Sequence, residues 1–410
     1  MNWKQLLHLV IVLVLIAVFG FALRWWQDRA TTSAGAETGD AVFPEFPLND
    51  IARVEVLDAE QSCILAKKEG TWKVVSRHDY PADFGQLRTF LVNLSNLTIA
   101  HTVAAAPSQY GRLSLETPAA LPGQAGTEVL LQDDQENLIR RVILGKLHRS
   151  ESPHGGPGWP DGRYIRIPKE GTDDLVALVT ETFEAVTADA TEWLDDSFIE
   201  VRDVVSASLR ENEEAQWMVT RDEPSGEFSL LGFTPTDTKT ADTSAMRSAA
   251  TAFSYARFED IADPALPPQD TGLDAGKVYS ATTADGIVYT LSIGTKTEEG
   301  NYYVTVGVGY EAPPEAVGRS ENDDAADGGN GVSPEDAEDE PSQADLREQA
   351  RDLHERFSPW TYLIRGSTIE NVLKPRSDFV KEEEKPESDE SNQEDDAPGD
   401  ESGDQAGGTE

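Results

Sequence analysis

The chain has a single cysteine, Cys63, among its 410 residues. A lone thiol cannot form a disulfide framework, and it cannot supply the cysteine set of a structural zinc site. Cys63 lies in the apolar run SCILA, which predicts a small buried hydrophobic side chain. It also lies far beyond the N-terminal apolar run, which excludes it as the attachment cysteine of a lipoprotein.

Basic residues are scarce as well. The chain has 34 Lys and Arg against 75 Asp and Glu, a formal net charge of −41. Because binding to a phosphate backbone requires clustered Lys and Arg, this balance argues against a nucleic-acid-binding protein.

The acidic excess is concentrated in two stretches. Residues 311–348 carry 13 acidic residues and residues 378–410 carry 14, each against two basic residues. Both stretches are rich in Gly, Pro and Ser and poor in aromatics, so they cannot bury enough apolar surface to fold alone. We predict an acidic disordered insertion at 311–348 and an acidic disordered tail at 378–410. An acidic interaction tail is the alternative.

A run of 19 residues without charge, Gln5 to Leu23, lies near the N-terminus between Lys4 and Arg24 and has tryptophans at both edges. About 20 apolar residues in a helix cross a hydrocarbon core, and tryptophan favours the membrane interface. We predict a transmembrane anchor at residues 1–30 and a tether at 31–43. A cleaved signal peptide is the alternative, but its apolar core would span about 7–15 residues and be followed by small residues.

Beyond the tether, the hydrophobic pattern indicates an α+β fold. Strand patterns are followed by one helical pattern, in which Phe84, Leu87, Phe90, Leu91, Leu94 and Leu97 share a face, and then by more strands. The same order recurs downstream, with WMVTR taken to match WKVVS and FSPWTYLI taken to match ATEWLDDSFI. We predict two tandem, repeat-related α+β modules, at 44–205 and at 206–310 plus 349–377.

The two modules end comparable hairpins in VILGK and LSIGTK, which invite a phosphate-binding interpretation. The Walker pattern G-x-x-x-x-G-K-[ST] is not met, since Arg140 lies five residues before Gly145 and Leu147 follows Lys146. We therefore predict that Gly145 and Gly294 lie where strands end in sharp turns.

Candidates for catalysis are few, and we assign no catalytic, cofactor-binding or metal-binding residue. His148 and His154 share a Gly/Pro-rich loop, but zinc-binding spacing is absent there. Asp195 and Asp196 are adjacent in sequence, which favours turn or cap roles over acid–base catalysis. The tryptophans at 72, 193, 217 and 360 favour core positions over an aromatic binding groove.

The order of landmarks FPLNDIARVEVLD, EGTWKVVSRHDYPADFGQLRTFLVNLSNLTIAHTV, YGRLSLE, VILGK, GRYIRI and ATEWLDDSFIEV, behind one N-terminal span, resembles the bacterial family called domain of unknown function 4340. The resemblance covers residues 44–205, and residues 206–377 follow it more loosely. It implies an accessory subunit of an ATP-binding-cassette transporter that faces the cell envelope, and it supplies no catalytic residues. The long acidic insertion and tail depart from the usual pattern of the family.

These features together predict a non-enzymatic accessory or scaffold protein of an ABC-type transport system. We expect one pass through the bacterial inner membrane, the bulk of the chain in the periplasm, and permease or auxiliary subunits as partners. A periplasmic receptor that binds a glycan or peptide between the two modules is the alternative. A third hypothesis is an envelope hydrolase that uses the loop of His148 and His154.

Overall fold

The computed structural model describes residues 38–151, 157–169, 171–274, 276–313 and 341–382. They form a mixed α+β fold dominated by antiparallel sheets. The strands of the first sheet, in chain order, are β1 (Arg53–Leu57), β2 (Ser62–Lys68), β3 (Thr71–Val74), β4 (Tyr80–Pro81), β5 (Ile99–Thr102), β6 (Thr127–Gln132), β7 (Leu138–Glu151), β8 (Pro157–Ile167) and β9 (Leu175–Val179). Their spatial order is β4-β3-β2-β1-β6-β7-β8-β9-β5.

The remaining strands form a second large sheet and a small one. In chain order they are β10 (Val204–Glu211), β11 (Glu214–Thr220), β12 (Ser229–Leu230), β13 (Lys239–Ala241), β14 (Phe258–Ile261), β15 (Lys277–Thr283), β16 (Ile287–Lys296), β17 (Asn301–Tyr310), β18 (Thr361–Arg365) and β19 (Val380–Glu382). The second sheet has the order β12-β11-β10-β15-β16-β17-β18-β14, and β13 pairs with β19.

The α-helices cover the sheets and their ends. They are α1 (Phe84–Ser95), α2 (Thr243–Ala250), α3 (Pro268–Thr271), α4 (Gln343–Phe357) and α5 (Gly366–Val372). Short 3₁₀ helices occupy Leu48–Asp50, Val75–Arg77, Pro107–Leu113, Pro122–Gln124, Ala190–Trp193 and Arg376–Phe379.

Helix α1 forms where the apolar pattern predicts it. The Asp83 side chain accepts a hydrogen bond of 2.9 Å from the Gln86 backbone N–H, which caps the N-terminus. The residues that share its buried face are Leu87, Phe90, Leu91 and Leu94. Phe84, which the sequence pattern placed on this face, is 57% exposed because it opens the helix at its outer end.

One hydrophobic core is continuous across both large sheets. Six aromatic side chains meet between the sheets, and we call them the aromatic junction: Tyr80, Phe198, Phe258, Phe357, Trp360 and Tyr362. Tyr80 belongs to β4 of the first sheet, whereas Phe258 and Tyr362 belong to β14 and β18 of the second. The two sheets are therefore joined by packed rings.

Two sequence-based boundaries are corrected at the second sheet. Helix α4 begins at Gln343, inside the range predicted to be a disordered insertion. Ser342 and Asp345 form a capping box there, and Leu346 is buried against the core. Strand β19 likewise lies inside the predicted tail and pairs with β13, next to the fully buried Phe379.

The N-terminal boundary also moves. Val42 and Phe43, predicted as tether, are buried, and the Val42 N–H donates to the Leu97 carbonyl at 2.8 Å. The predicted anchor, residues 1–30, lies outside the described residues. Among the residues that the structure describes, no helix is both long enough and apolar enough to cross a membrane.

Candidate functional site

A two-stranded arm extends from the first sheet. Strand β6 follows β7 only as far as Leu144, which pairs with Thr127, and β9 follows β8 only as far as Arg163, which pairs with Val179. Beyond these pairs, β7 and β8 pair with each other, as at Arg149 and Pro160, and with no other described strand. We call residues 145–151 and 157–163 the basic arm.

The arm is part of a basic hairpin in an acidic chain. Strands β7 and β8 contain six Lys and Arg against two Asp and Glu, whereas the whole chain has a net charge of −41. Two of the six have carboxylate partners: Arg141 pairs with Glu128, and Arg166 lies 3.6 Å from Asp174. The arm itself holds three of the cations, Lys146, Arg149 and Arg163, together with both acidic residues, Glu151 and Asp161. None of the three cations has an ion pair with a residue whose side chain the structure describes.

Arg163 is fixed by neutral acceptors. Its Nε donates to the Gly145 carbonyl at 2.8 Å, and its Nη1 donates to the carbonyls of Thr182 and Phe183 at 3.1 and 3.0 Å. Burial lowers the pKa of Arg163 to about 10, because desolvation disfavours its charged form. The guanidinium therefore stays positively charged at neutral pH, in a set orientation.

A shallow concavity of about 350 Å³ lies at the base of the arm. Lys146 and Arg163 line it on the side of the arm, and Asp58 and Glu60 line it on the side of the β1–β2 turn. Ser114 and Thr127 also line it. The arrangement offers cations and hydrogen-bond donors to a ligand that approaches along the arm.

Trp159 lies on the arm and is 87% exposed. The strand pair beneath it is held by hydrogen bonds from Arg149 Nη1 to the Gly158 carbonyl, at 3.2 Å, and from Ser150 Oγ to the Trp159 carbonyl, at 3.4 Å. An indole presented to solvent on a fixed strand pair is typical of protein-binding surfaces, in which tryptophan is enriched.

His148, one of the two histidines of the predicted loop, lies on β7. His148 Nδ1 lies 2.6 Å from Asp161 Oδ1, and its ring packs edge-on against Tyr164. His154 lies outside the described residues. Among the residues that are described, no three His, Cys, Asp or Glu are grouped to hold a metal ion.

The glycine–lysine stretches lie within strands, so the predicted sharp turns are wrong. A Cβ on Gly145, inside β7, would lie 2.5 Å from the Leu113 carbonyl oxygen. A Cβ on Gly294, inside β16, would lie 2.1 Å from the Thr271 carbonyl oxygen. Glycine is required at both places because another segment of backbone crosses the strand closely.

Asp195 and Asp196 have different partners. Asp195 lies 3.1 Å from Arg356 and accepts the Ser197 N–H at 3.0 Å, whereas Asp196 lies 3.9 Å from Arg257. Neither carboxylate shares a hydrogen bond with the other. Asp195 thus has a turn contact of the kind that the sequence favoured, and both carboxylates have ion-pair contacts that it did not predict.

Cys63 and the four tryptophans contribute to the core. Cys63 is fully buried, and desolvation raises its pKa to about 12. Trp193 and Trp217 are buried, and Trp72 and Trp360 pack against the same core. Their proposed matching is wrong, because Trp217 lies on the second strand of its hairpin, β11, whereas Trp72 lies on the third strand of its sheet, β3.

The basic arm was not predicted from the sequence. The signal was present as a cluster of Lys and Arg at residues 138–167 in a chain dominated by Asp and Glu. The arm could not be recognised from that cluster alone, since the register that leaves β7 and β8 without outer neighbours depends on where β6 and β9 end.

A comparison with protein families matches the family described as Domain of unknown function (DUF4340) over residues 72–276. The matched range runs from β3 to the residue before β15 and covers half of the chain. Neither a curated protein nor a solved structure matches. On the strength of the family match, the chain belongs to the domain of unknown function 4340 family.

Proposed function

We propose that the chain is a non-enzymatic, membrane-anchored scaffold that binds subunits of an ABC-type transport system in the periplasm. The observation that carries the scaffold role is the aromatic junction, which joins two extended sheets into one body with a continuous core. A rigid body of this kind can present distant surfaces in a fixed relation to one another.

The junction is filled by close ring packing. Tyr80 lies 4.9 Å from Trp360 and 5.6 Å from Phe258, and Phe198 lies 4.8 Å from Tyr362, measured between ring centroids. These separations are those of favourable edge-on and tilted aromatic pairs. They weigh against the alternative of a receptor that holds its ligand in a cleft between the sheets.

Ion pairs surround the rings and fix the same relation between the sheets. Arg77 Nε lies 2.8 and 3.1 Å from the two carboxylate oxygens of Asp260. Arg356 Nη2 lies 3.1 Å from Asp195 Oδ2. Both pairs join a residue of the first half of the chain to one of the second, which opposes sliding at the junction.

We further propose that the two sheets are tandem copies of one α+β module. The support is the strand order. In each sheet the first strand lies between its hairpin partner and a later strand: β1 lies between β2 and β6, and β10 lies between β11 and β15. The strand that follows the helix is at the far edge in both, β5 beside β9 and β14 beside β18.

The glycine positions give independent support for the repeat. Gly126 precedes β6 and Gly276 precedes β15, and a Cβ at either would lie within 2.6 Å of a carbonyl oxygen of the adjacent long strand. Gly145 and Gly294 lie at comparable crossings inside those long strands. Shared backbone crossings of this kind depend on topology and tolerate different side chains elsewhere.

The membrane and transporter parts of the proposal rest on the uncharged N-terminal run and on the family. The test is affinity purification of the full-length protein from membranes solubilised in a mild detergent. We expect an ABC ATPase, a permease or an auxiliary subunit to co-purify in stoichiometric amount. Recovery of the protein alone under several detergents would refute the transporter role.

A separate measurement tests the topology. Alkaline phosphatase is active only outside the cytoplasm, so a periplasmic body predicts that a fusion of this enzyme after Glu410 is active. A reporter that works only in the cytoplasm, fused at the same position, should be inactive. Extraction of the full-length protein from membranes by alkaline carbonate would contradict membrane anchoring.

A further inference from the structure

The basic arm combines three features that point to a ligand. Lys146, Arg149 and Arg163 lack ion pairs with any residue whose side chain is described, Trp159 is 87% exposed, and a concavity of about 350 Å³ opens at the base. We infer that the basic arm and this concavity bind an extended, acidic peptide segment of a partner protein.

The positive charge of Arg163 favours an anionic ligand. Its three hydrogen bonds go to carbonyl oxygens, which fix the side chain, and the carboxylate that acts on it electrostatically, Glu184, forms no ion pair with it. A buried cation is stabilised by an anion that replaces its lost hydration, and an arginine fork suits a carboxylate. Lys146 lines the same concavity and adds a second positive charge.

The free edges of the arm favour a ligand with an extended peptide backbone. Among the described strands, none pairs with the outer edge of β7 beyond Leu144 or of β8 before Arg163. Such edges accept an added strand through backbone hydrogen bonds. An extended peptide spaces its side chains regularly along its length, so acidic residues at intervals can reach cations at different points of the arm.

Trp159 offers an apolar contact to the same ligand. A tryptophan exposed to this degree leaves a large apolar area in water, which a bound peptide would cover. Tryptophan and arginine are the residues that most often dominate binding energy at interfaces. Trp159 and Arg149 lie on opposite strands of the arm, linked through the Arg149–Gly158 hydrogen bond.

A peptide fits this surface better than an anionic lipid bilayer does. Asp58 and Glu60 form the opposite rim of the concavity, and they would repel a continuous layer of negative headgroups. A peptide can place single carboxylates on the cations and turn its other residues toward the acidic rim. The free strand edges also match a peptide backbone, whereas a lipid has no equivalent group.

The binding test uses the full-length protein in detergent micelles. The probe is a fluorescein-labelled, twelve-residue peptide of alternating glutamate and threonine, and binding is followed by anisotropy. We expect Lys146→Glu and Arg149→Glu each to weaken binding about tenfold, and Trp159→Ala about fivefold. Lys67→Glu is the matched control, because Lys67 is an exposed lysine on β2 of the same sheet, away from the arm; its affinity should stay within twofold.

Zero-length carbodiimide cross-linking identifies the occupant. A link between Lys146 and the probe peptide, found by mass spectrometry, supports the proposal. A link between Lys146 and residues 383–410 without peptide would make the chain's own tail the occupant and overturn it. If the protein sediments with phosphatidylglycerol vesicles and Lys146→Glu abolishes this, the arm binds lipid and the proposal is overturned. Failure of the unmodified protein to bind the peptide would also overturn it.

The inference rests on the proposed scaffold function, because it names the surface on which a partner would dock. The two can fail separately. If transporter subunits co-purify equally well with Arg149→Glu and with the unmodified protein, the arm is not the docking surface but the scaffold function stands. If the peptide binds to the arm and no transporter subunit co-purifies, the reverse holds.

Discussion

Replacing Tyr80 with alanine removes the ring that β4 contributes to the aromatic junction. Tyr80 is 4% exposed and contacts the rings of Trp360, Phe258 and Tyr362 at centroid distances of 4.9, 5.6 and 6.3 Å. Truncation of a large buried aromatic residue to alanine costs about 3–5 kcal/mol in the free energy of unfolding. We expect a loss in that range, because the lost contacts reach into the second sheet.

The assay is urea unfolding of the full-length protein in a nonionic detergent, followed by tryptophan fluorescence and by circular dichroism. The chain has eight tryptophans, of which the buried Trp193 lies in the first half and the buried Trp217 in the second, so the fluorescence signal covers both halves. If the sheets share one cooperative core, the unmodified protein should unfold in a single transition by both probes. Tyr80→Ala should move that midpoint down or split it into two.

The matched control is Tyr255→Ala. Tyr255 is 82% exposed, so its truncation should change the free energy of unfolding by less than about 0.5 kcal/mol. A Tyr80→Ala protein within about 1 kcal/mol of the unmodified one would contradict the calculation. Two separate transitions in the unmodified protein would refute the single rigid body, and with it the observation that carries the scaffold proposal.

Two further predictions concern the glycine crossing and the buried thiol. Gly145→Ala should destabilise the protein by about 1–3 kcal/mol, because the new Cβ would lie 2.5 Å from a backbone oxygen, whereas Gly123→Ala, with nothing within 4 Å, should change little; equal urea midpoints would disprove the close crossing. Cys63 has its pKa raised by burial from 9.0 to about 12, and Tyr289 from 10.0 to about 12. The unfolded state therefore loses these protons first, so stability should be complete below pH 9 and fall as the pH rises from 9 toward 12; a urea midpoint at pH 10.5 no lower than at pH 8 would contradict this, and Cys63 should resist a thiol reagent at pH 8 until urea is added.

Elements that depend on neighbouring residues alone could be predicted from the sequence. Helix α1 follows from apolar spacing and from the Asp83 cap, both of which act within one or two turns. The predicted boundaries of the acidic insertion and tail were wrong because they followed the average composition of each stretch, which hides single residues that begin a helix or a strand. Asp345 is part of the acidic count, yet its capping box with Ser342 starts α4, and Leu346 and Ala350 give the helix a buried face.

The strand assignments show that identical residues in the two halves of the chain need not be equivalent. Trp217 and Trp72 share a letter and a similar neighbourhood, but β11 and β3 occupy different positions in their sheets. A tryptophan in a core can be replaced by other apolar residues if the total volume is preserved, so a matching tryptophan is weak support for equivalence. Strand order and register, which sequence alone did not provide, locate both residues.

The candidate site was the least predictable part because it depends on where other strands end. The pair His148 and His154 drew attention through residue type, whereas the arm is defined by the ends of β6 at Leu144 and of β9 at Arg163. No local pattern in β7 or β8 records the length of their neighbours. Only the clustering of unpaired cations in an acidic chain could have indicated the site.

The glycine crossings suggest why two sheets with few matching side chains can follow the same path. Each long strand is crossed by a segment that needs a left-handed residue, Ser114 at φ 53° in the first sheet and Gly272 at φ 68° in the second. Each crossing also needs a residue without a side chain on the strand, Gly145 in one and Gly294 in the other. These demands come from backbone geometry and cannot be met by repacking, unlike the volume of a core. On the proposal of a tandem repeat, the backbone crossings are therefore where the two copies must agree, and side chains such as those of Trp217 and Cys63 are where they are free to differ.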